Sequence, residues 1–185
     1  EDSRLARQEL KELVKNHAEI EIVGEAENVD DALKLITKTN PVLLFLDINM
    51  PEKDGFQLLE LLDEVPTVIF TTAYDEYVIK SFEYNAFDYL LKPINKERFA
   101  KSIQKLLPTL EEKETPSEGK TLTLNSQIFI KEGEHCWMVA LKDITLFEIV
   151  GNYTRVYFED KKPLIYKSLN QIEAKLPEHD FFRVN

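Results

Sequence analysis

The sequence predicts an α/β unit, doubly wound about a parallel sheet, and after it a smaller unit that is mostly β. Three observations carry this. Over residues 1–107, apolar residues switch repeatedly between helical and strand spacing, the alternation expected of a parallel sheet with helices on both faces. Residues 108–120 hold two prolines, a glycine and many glutamates, with Leu110 the only large apolar side chain, so they read as a linker. Residues 121–185 break into short runs rich in β-branched and aromatic residues.

The elements follow in order. SRLARQELKELVKNH places Leu5, Leu10, Leu13 and Val14 on one face of a helix, with Asp2 or Ser3 positioned to cap it. EIVGEA reads as a short strand and VDDALKLITKTN as a second helix. VLLFLD has five apolar residues in six and then polar turn residues, as in a strand buried on both faces. GFQLLELLDE, TVIFTTA, EYVIKSFEYNA, DYLLKP and KERFAKSIQKLL continue the alternation. Beyond the linker, TLTL, IFIK, CWMVAL, ITLFEIV, YTRVYFE and PLIYKSL read as strands, interrupted by one helical stretch, NQIEAKL. Both ends are expected to be cut, because the first helix lacks a preceding strand and DFFRVN stops as an aromatic-rich segment begins.

Composition narrows the setting. The chain of 185 residues has 34 acids, 23 bases and a net charge of −11, with 43% hydrophobic residues, as in a globular protein. No apolar run approaches the roughly 20 residues that cross a bilayer. The single Cys136 excludes an internal disulfide and a cysteine-built zinc site, so a reducing, cytoplasmic setting is expected. Charge is uneven: 21 acids face 13 bases in residues 1–110, but nine face eight in residues 121–185. Phosphate backbones would be repelled by the first part and tolerated by the second.

In an open parallel sheet, ligands bind beyond the carboxyl ends of the strands. Asp47 ends VLLFLD, Thr71 and Thr72 end TVIFTT, and Lys92 ends DYLLKP. Glu1 and Asp2 stand where a strand before the first helix would end. Each alone has an ordinary use, as a cap, a β-former or a solvated charge. Together they bring three acids, a hydroxyl and an ammonium to one sheet edge. Clustered carboxylates with room for water suit magnesium. A carboxylate beside that ion can attack a phosphoryl group and form an acyl phosphate, while the ammonium and hydroxyl stabilise the equatorial oxygens. Lys92–Pro93 is a candidate for a cis peptide bond.

This pattern resembles the receiver domain of two-component response regulators, over essentially all of residues 1–110. The acidic pair Glu1–Asp2, the context LFLDINMPEKDG, the hydroxyl in FTTA and the lysine in YLLKP match that family in order. The resemblance implies a five-stranded sheet whose first strand is missing here, and phosphorylation of Asp47 by a sensor histidine kinase. It implies magnesium held by Glu1, Asp2, Asp47 and the backbone carbonyl of Asn49. Thr72 and Lys92 would contact the phosphoryl group, and Tyr89 would be the switch aromatic.

In the second unit, Asn152, Tyr153, Thr154 and Arg155 lie between two apolar strands, with Lys161, Lys162, Lys167, Ser168, Arg183 and Asn185 adding donors. Such residues can read bases and hold phosphates, but they are also ordinary turn and surface residues, and no basic stripe is present. The run DITLFEIVGNYTRVYFEDKKPLIYKSLNQIEAKLPEHDFFRVN is similar to the LytTR type of DNA-binding domain, from near Leu122 to residue 185, with the domain's end lacking. That resemblance implies promoter DNA as a partner, with contacts in Asn152, Tyr153, Thr154 and Arg155 and at Lys167, Arg183 and Asn185.

The expected protein is a phosphorylation-switched transcription regulator that dimerises, not a metabolic enzyme. One rival is a phosphohydrolase with an aspartyl-phosphate intermediate, similar to the haloacid dehalogenases. It wants a general acid two residues after the nucleophile, and Asn49 stands there. The other is an interaction module whose β unit never binds DNA.

Overall fold

The structure, a computed structural model, describes residues 1–73, 86–111, 122–133 and 135–184 and divides into two compact units. The N-terminal unit begins with α1 (Arg4–Val14), whose first turn is capped by Ser3: its Oγ accepts the Ala6 N–H at 3.4 Å. Ser3, not Asp2, therefore supplies the cap. Then come α2 (Val29–Thr39), β1 (Leu43–Asp47), α3 (Gly55–Leu61), β2 (Thr67–Thr72), β3 (Asp88–Leu91) and α4 (Lys96–Glu111). The three strands form a parallel sheet in the order β1-β2-β3, with Asp47 level with Thr71 and Thr72 level with Leu91.

Side chains alternate across each strand and so supply two cores. Ile69 and Leu90 join Leu10, Leu13 and Val14 of α1 and Phe99, Ile103 and Leu106 of α4. Phe70 projects to the other face, where its ring lies 5.3 Å from Phe56 of α3. Helices thus cover both faces, and the sheet is doubly wound as the periodicity predicts.

Two expectations for this unit change. EIVGEA, residues 21–26, forms no strand, and Ile22 and Val23 stay about half exposed. It has no ladder partner among the described residues, and an isolated strand has nowhere to send its backbone hydrogen bonds. The segment instead lines an apolar cavity of about 290 Å³ together with Leu44 and Leu46 of β1. The expected linker also begins late, because α4 runs through Pro108 to Glu111. Leu107 and Leu110 pack against the core cluster, which offsets the helical hydrogen bond that proline removes. The helix expected over EYVIKSFEYNA lies, except for Ala86, outside the described residues.

The C-terminal unit is antiparallel. β4 (Gln127–Glu132) pairs with β5 (His135–Ala140), and β6 (Ile144–Val150), β7 (Tyr153–Phe158) and β8 (Leu164–Ile165) form a second sheet. α5 (Leu169–Glu173) follows, opened by Ser168 and Gln171 in a reciprocal capping box. Ile130, Val139, Leu141, Ile144, Val156 and Phe158 make the core. Residues 122–124 of the expected TLTL strand form none, because Thr123 and Ser126 close a turn there. The two-residue link from β6 to β7 holds Gly151 at φ 61°, a conformation that suits glycine and a tight hairpin. Among the described residues, no helix is long and apolar enough to cross a membrane.

Candidate functional site

The parallel register delivers the expected residues to one edge. Asp47 closes β1 and is only 4% exposed. Lys92 follows β3 directly, and its N–H donates to the Thr72 carbonyl at 2.7 Å, continuing the β2–β3 ladder by one residue. The Lys92–Pro93 peptide bond is cis. From this position the Lys92 Nζ donates to Asp47 Oδ2 at 2.6 Å and pairs with Glu1 Oε2 at 2.6 Å. The other oxygen of Asp47 accepts the Asn49 N–H at 3.1 Å. Both oxygens of the expected phosphoacceptor are therefore oriented by the chain itself.

Carboxylate oxygens of Glu1, Asp2 and Asp47 all lie within 4.8 Å of one another. Three carboxylates against one ammonium leave a surplus of negative charge in an oxygen-only donor set, and that chemistry fits a hard dication. Burial alone would lower the Lys92 pKa, but its hydrogen bonds to Asp47 and Glu1 outweigh burial, and the net displacement is upward. Lys92 is thus a fixed cation. The pairing of Lys92 with Glu1 was not legible from the motifs, which aim the lysine at a phosphoryl group alone.

Thr71 and Thr72 are fully buried at the end of β2, beside Asp47 and Lys92 in register. Tyr89 is 6% exposed, with its ring 5.1 Å from Phe70.

Gly55 is a site residue that motif reading overlooked. A Cβ there would stand 2.3 Å from the Asp47 carbonyl oxygen, and the Gly55 N–H donates to the Ile48 carbonyl at 2.9 Å. Asp54, just before it, caps α3 in a capping box with Gln57. The signal was present as the DG of MPEKDG, where the aspartate caps and the glycine lets the helix start touch β1. Gly55→Ala should lose about 1–2 kcal/mol through overpacking, measured by denaturant unfolding, and should slow phosphorylation by displacing Asp47.

In the second unit the expected contact residues separate. Asn152 and Tyr153 are exposed where β6 turns into β7. Thr154 is corrected: it is fully buried and its Oγ1 donates to the Lys167 carbonyl at 2.7 Å, so it supports the hairpin instead of facing DNA. Arg155 lies on the sheet and donates to Glu148 at 3.2 Å, which also accepts from the Tyr157 hydroxyl at 2.7 Å. Arg183 donates to Glu173 at 2.7 Å and to Asn170 at 3.1 Å, tying the chain's end to α5. Asn185 lies outside the described residues.

Comparison with known proteins assigns both units. Residues 1–104 match the model of the response regulator receiver domain, and residues 134–185 match that of the LytTr DNA-binding domain. A response regulatory protein of Vibrio cholerae is 50% identical over 109 residues, covering 58% of this chain and 46% of that protein. The transcriptional regulatory protein YpdB of Escherichia coli K12 is 34% identical over 188 residues, covering 99% of this chain and 77% of YpdB. Among solved structures, the response regulatory domain of mrkE from Klebsiella pneumoniae is 38% identical with a TM-score of 0.55, over 60% of this chain and 94% of that domain.

Proposed function

The chain belongs to the response regulators that join a receiver domain to a LytTr DNA-binding domain, and from that premise we propose that phosphorylation of Asp47 switches its action on promoter DNA. The observation that carries this reading is the Asp47 carboxylate, buried at the end of β1 and held by Lys92 at 2.6 Å and by the Asn49 N–H at 3.1 Å. A buried, oriented carboxylate beside a fixed cation is a nucleophile poised for an incoming phosphoryl group.

The phosphoryl donor is a histidine kinase. The Asp47 carboxylate forms the new P–O bond as the P–N bond of the phosphohistidine breaks, and the histidine leaves with the electron pair. Glu1, Asp2, Asp47 and the Asn49 carbonyl would hold magnesium, which supplies charge neutralisation to the transferring group. Lys92 pairs with the phosphoryl oxygens, and Thr72, one ladder step away, donates its hydroxyl to them. The modification favours the arrangement in which Tyr89 is seated against Phe70. The stabilised receiver dimerises, and two linked β units engage paired sites with raised effective concentration. Within the β unit the exposed Asn152 and Tyr153 are the leading contacts, with Lys167, Arg155 and Arg183 as further donors. The protein acts in the cytoplasm as a regulator, with no metabolic substrate.

Binding sites selected from random DNA by the phosphorylated protein provide the test. Phosphorylation by a small acyl phosphate in magnesium should convert monomer to dimer in sedimentation and tighten binding to paired sites. Thr72→Ala should still be phosphorylated but respond less. Equal affinity before and after phosphorylation would reject the switch, and no selectable site at all would favour a protein-interaction output instead.

A further inference from the structure

The start of β3 carries an ion pair that none of the phosphorylation chemistry uses. Asp88, the first residue of β3, has a side chain 13% exposed, and it receives both arms of the Arg98 guanidinium from the first turns of α4. Arg98 Nη1 donates to Asp88 Oδ2 at 2.8 Å, and Nη2 donates to Oδ1. The same two side chains also grip the next residue. Asp88 Oδ1 accepts the Tyr89 N–H at 2.8 Å, and Arg98 Nη2 donates to the Tyr89 carbonyl at 3.2 Å. Both main-chain polar groups of Tyr89 are therefore engaged by one bidentate pair, and one member of that pair belongs to a helix. Tyr89 in turn packs on Phe70, which packs on Phe56 at the start of α3, immediately after Gly55. A physical line thus runs from the loop beside Asp47, through three rings, to α4.

We propose that Arg98 is a positioning residue for Tyr89, fixing the tyrosine's main chain so that its seat against Phe70 and the seat of α4 on the sheet change together. This rests on the reading of Tyr89 as the switch aromatic, and it adds the part that would carry the switch to α4. The guanidinium suits the task because its planar fork bonds a carboxylate with two donors and still reaches a carbonyl, which a lysine ammonium at the same place cannot do in one geometry. Burial would raise the Asp88 pKa, but the hydrogen bonds from Arg98 and the Tyr89 backbone outweigh it and bring the pKa below its ordinary value of 3.8. The clamp is therefore fully ionised at neutral pH.

Fluorine NMR of the whole chain labelled with fluorotyrosine tests this. Seven tyrosines are present, so the spectrum of Tyr89→Phe assigns the Tyr89 line. In the wild type that line should be single and should move when a small acyl phosphate and magnesium are added. Arg98→Ala should displace or broaden the line before phosphorylation and cut its response by about twofold or more, with the phosphorylation rate at Asp47 unchanged. Arg98→Lys should restore less than half of the line's position, because charge alone does not rebuild the fork. Should Arg98→Ala fail to fold, Asp88→Asn keeps the side-chain shape, weakens the pair and should move the line in the same sense. An Arg98→Ala spectrum and response identical to the wild type would overturn the proposal. A wild-type line that ignores phosphorylation would reject Tyr89 as the switch, and the displacement in Arg98→Ala would then still decide whether the clamp positions it.

Discussion

Replacing Asp47 by asparagine should abolish phosphorylation by a small acyl phosphate in magnesium, with mass spectrometry showing one phosphoryl group on the wild type and none on the variant. The side chain keeps its shape, so folding monitored by circular dichroism should be retained. What is lost is the nucleophilic oxygen that Lys92 and the Asn49 N–H now orient. Other acids stand close by, Glu1 and Asp2 among them. Glu1 is likewise held, by the Ser3 N–H at 3.1 Å and by Lys92 at 2.6 Å, so what sets Asp47 apart is its place at the end of β1, the edge of the sheet where ligands bind. A phosphoryl group persisting at another residue of the Asp47→Asn protein would move the acceptor elsewhere.

Lys92→Met carries the second large effect, on stability as well as signalling. Methionine preserves most of the aliphatic stem but leaves Asp47 and Glu1 without the ammonium now 2.6 Å from each. Breaking a fully buried pair costs about 3–5 kcal/mol; Lys92 keeps some solvent exposure, so about 2–3 kcal/mol is expected in chelator-treated protein. Magnesium should return part of that loss, because it neutralises the same carboxylates. The pH dependence has a definite sign. The folded-state pKa of Lys92 is raised above 10.5, so its contribution is complete below that value and is lost as pH rises through the folded-state pKa. The difference between wild type and Lys92→Met in urea unfolding should therefore be flat across neutral pH and shrink only in strong alkali. A variant as stable as the wild type in the absence of magnesium would mean that the three-way pairing has no energetic weight.

Much of the first unit was legible because its signals are local. VLLFLD and TVIFTT are apolar runs of strand length closed by polar residues, and β1 and β2 stand where those runs are. α1 and α2 stand on the runs that predict them, and Ser3, one of the two expected caps, caps α1. The carboxyl-end rule then gathered Asp47, Thr72 and Lys92 without any knowledge of distances. EIVGEA reads as a strand by the same local criteria and fails for a reason that is not local. A strand exists only where another strand accepts its hydrogen bonds, and residue pattern does not reveal whether that neighbour is present. Pro108 misled in the opposite direction, since a residue that usually ends a helix is carried past by the packing of Leu107 and Leu110.

Residue types and their order determined the two-unit organisation, the parallel character of the first sheet, the β character of the second unit, the family, and the group of acids, threonine and lysine that makes the candidate site. These follow from periodicity and from which residues end strands, both properties of the chain read in one dimension. Only the tertiary structure decided that Lys92 bridges Glu1 and Asp47, that Gly55 must be small because β1 lies against it, that Thr154 is buried while Asn152 is exposed, and that Arg98 holds the main chain of Tyr89. Each depends on which atoms of distant residues come within hydrogen-bonding or van der Waals reach. Charges and hydrogen bonds act over a few ångströms of space, and sequence separation does not measure that distance.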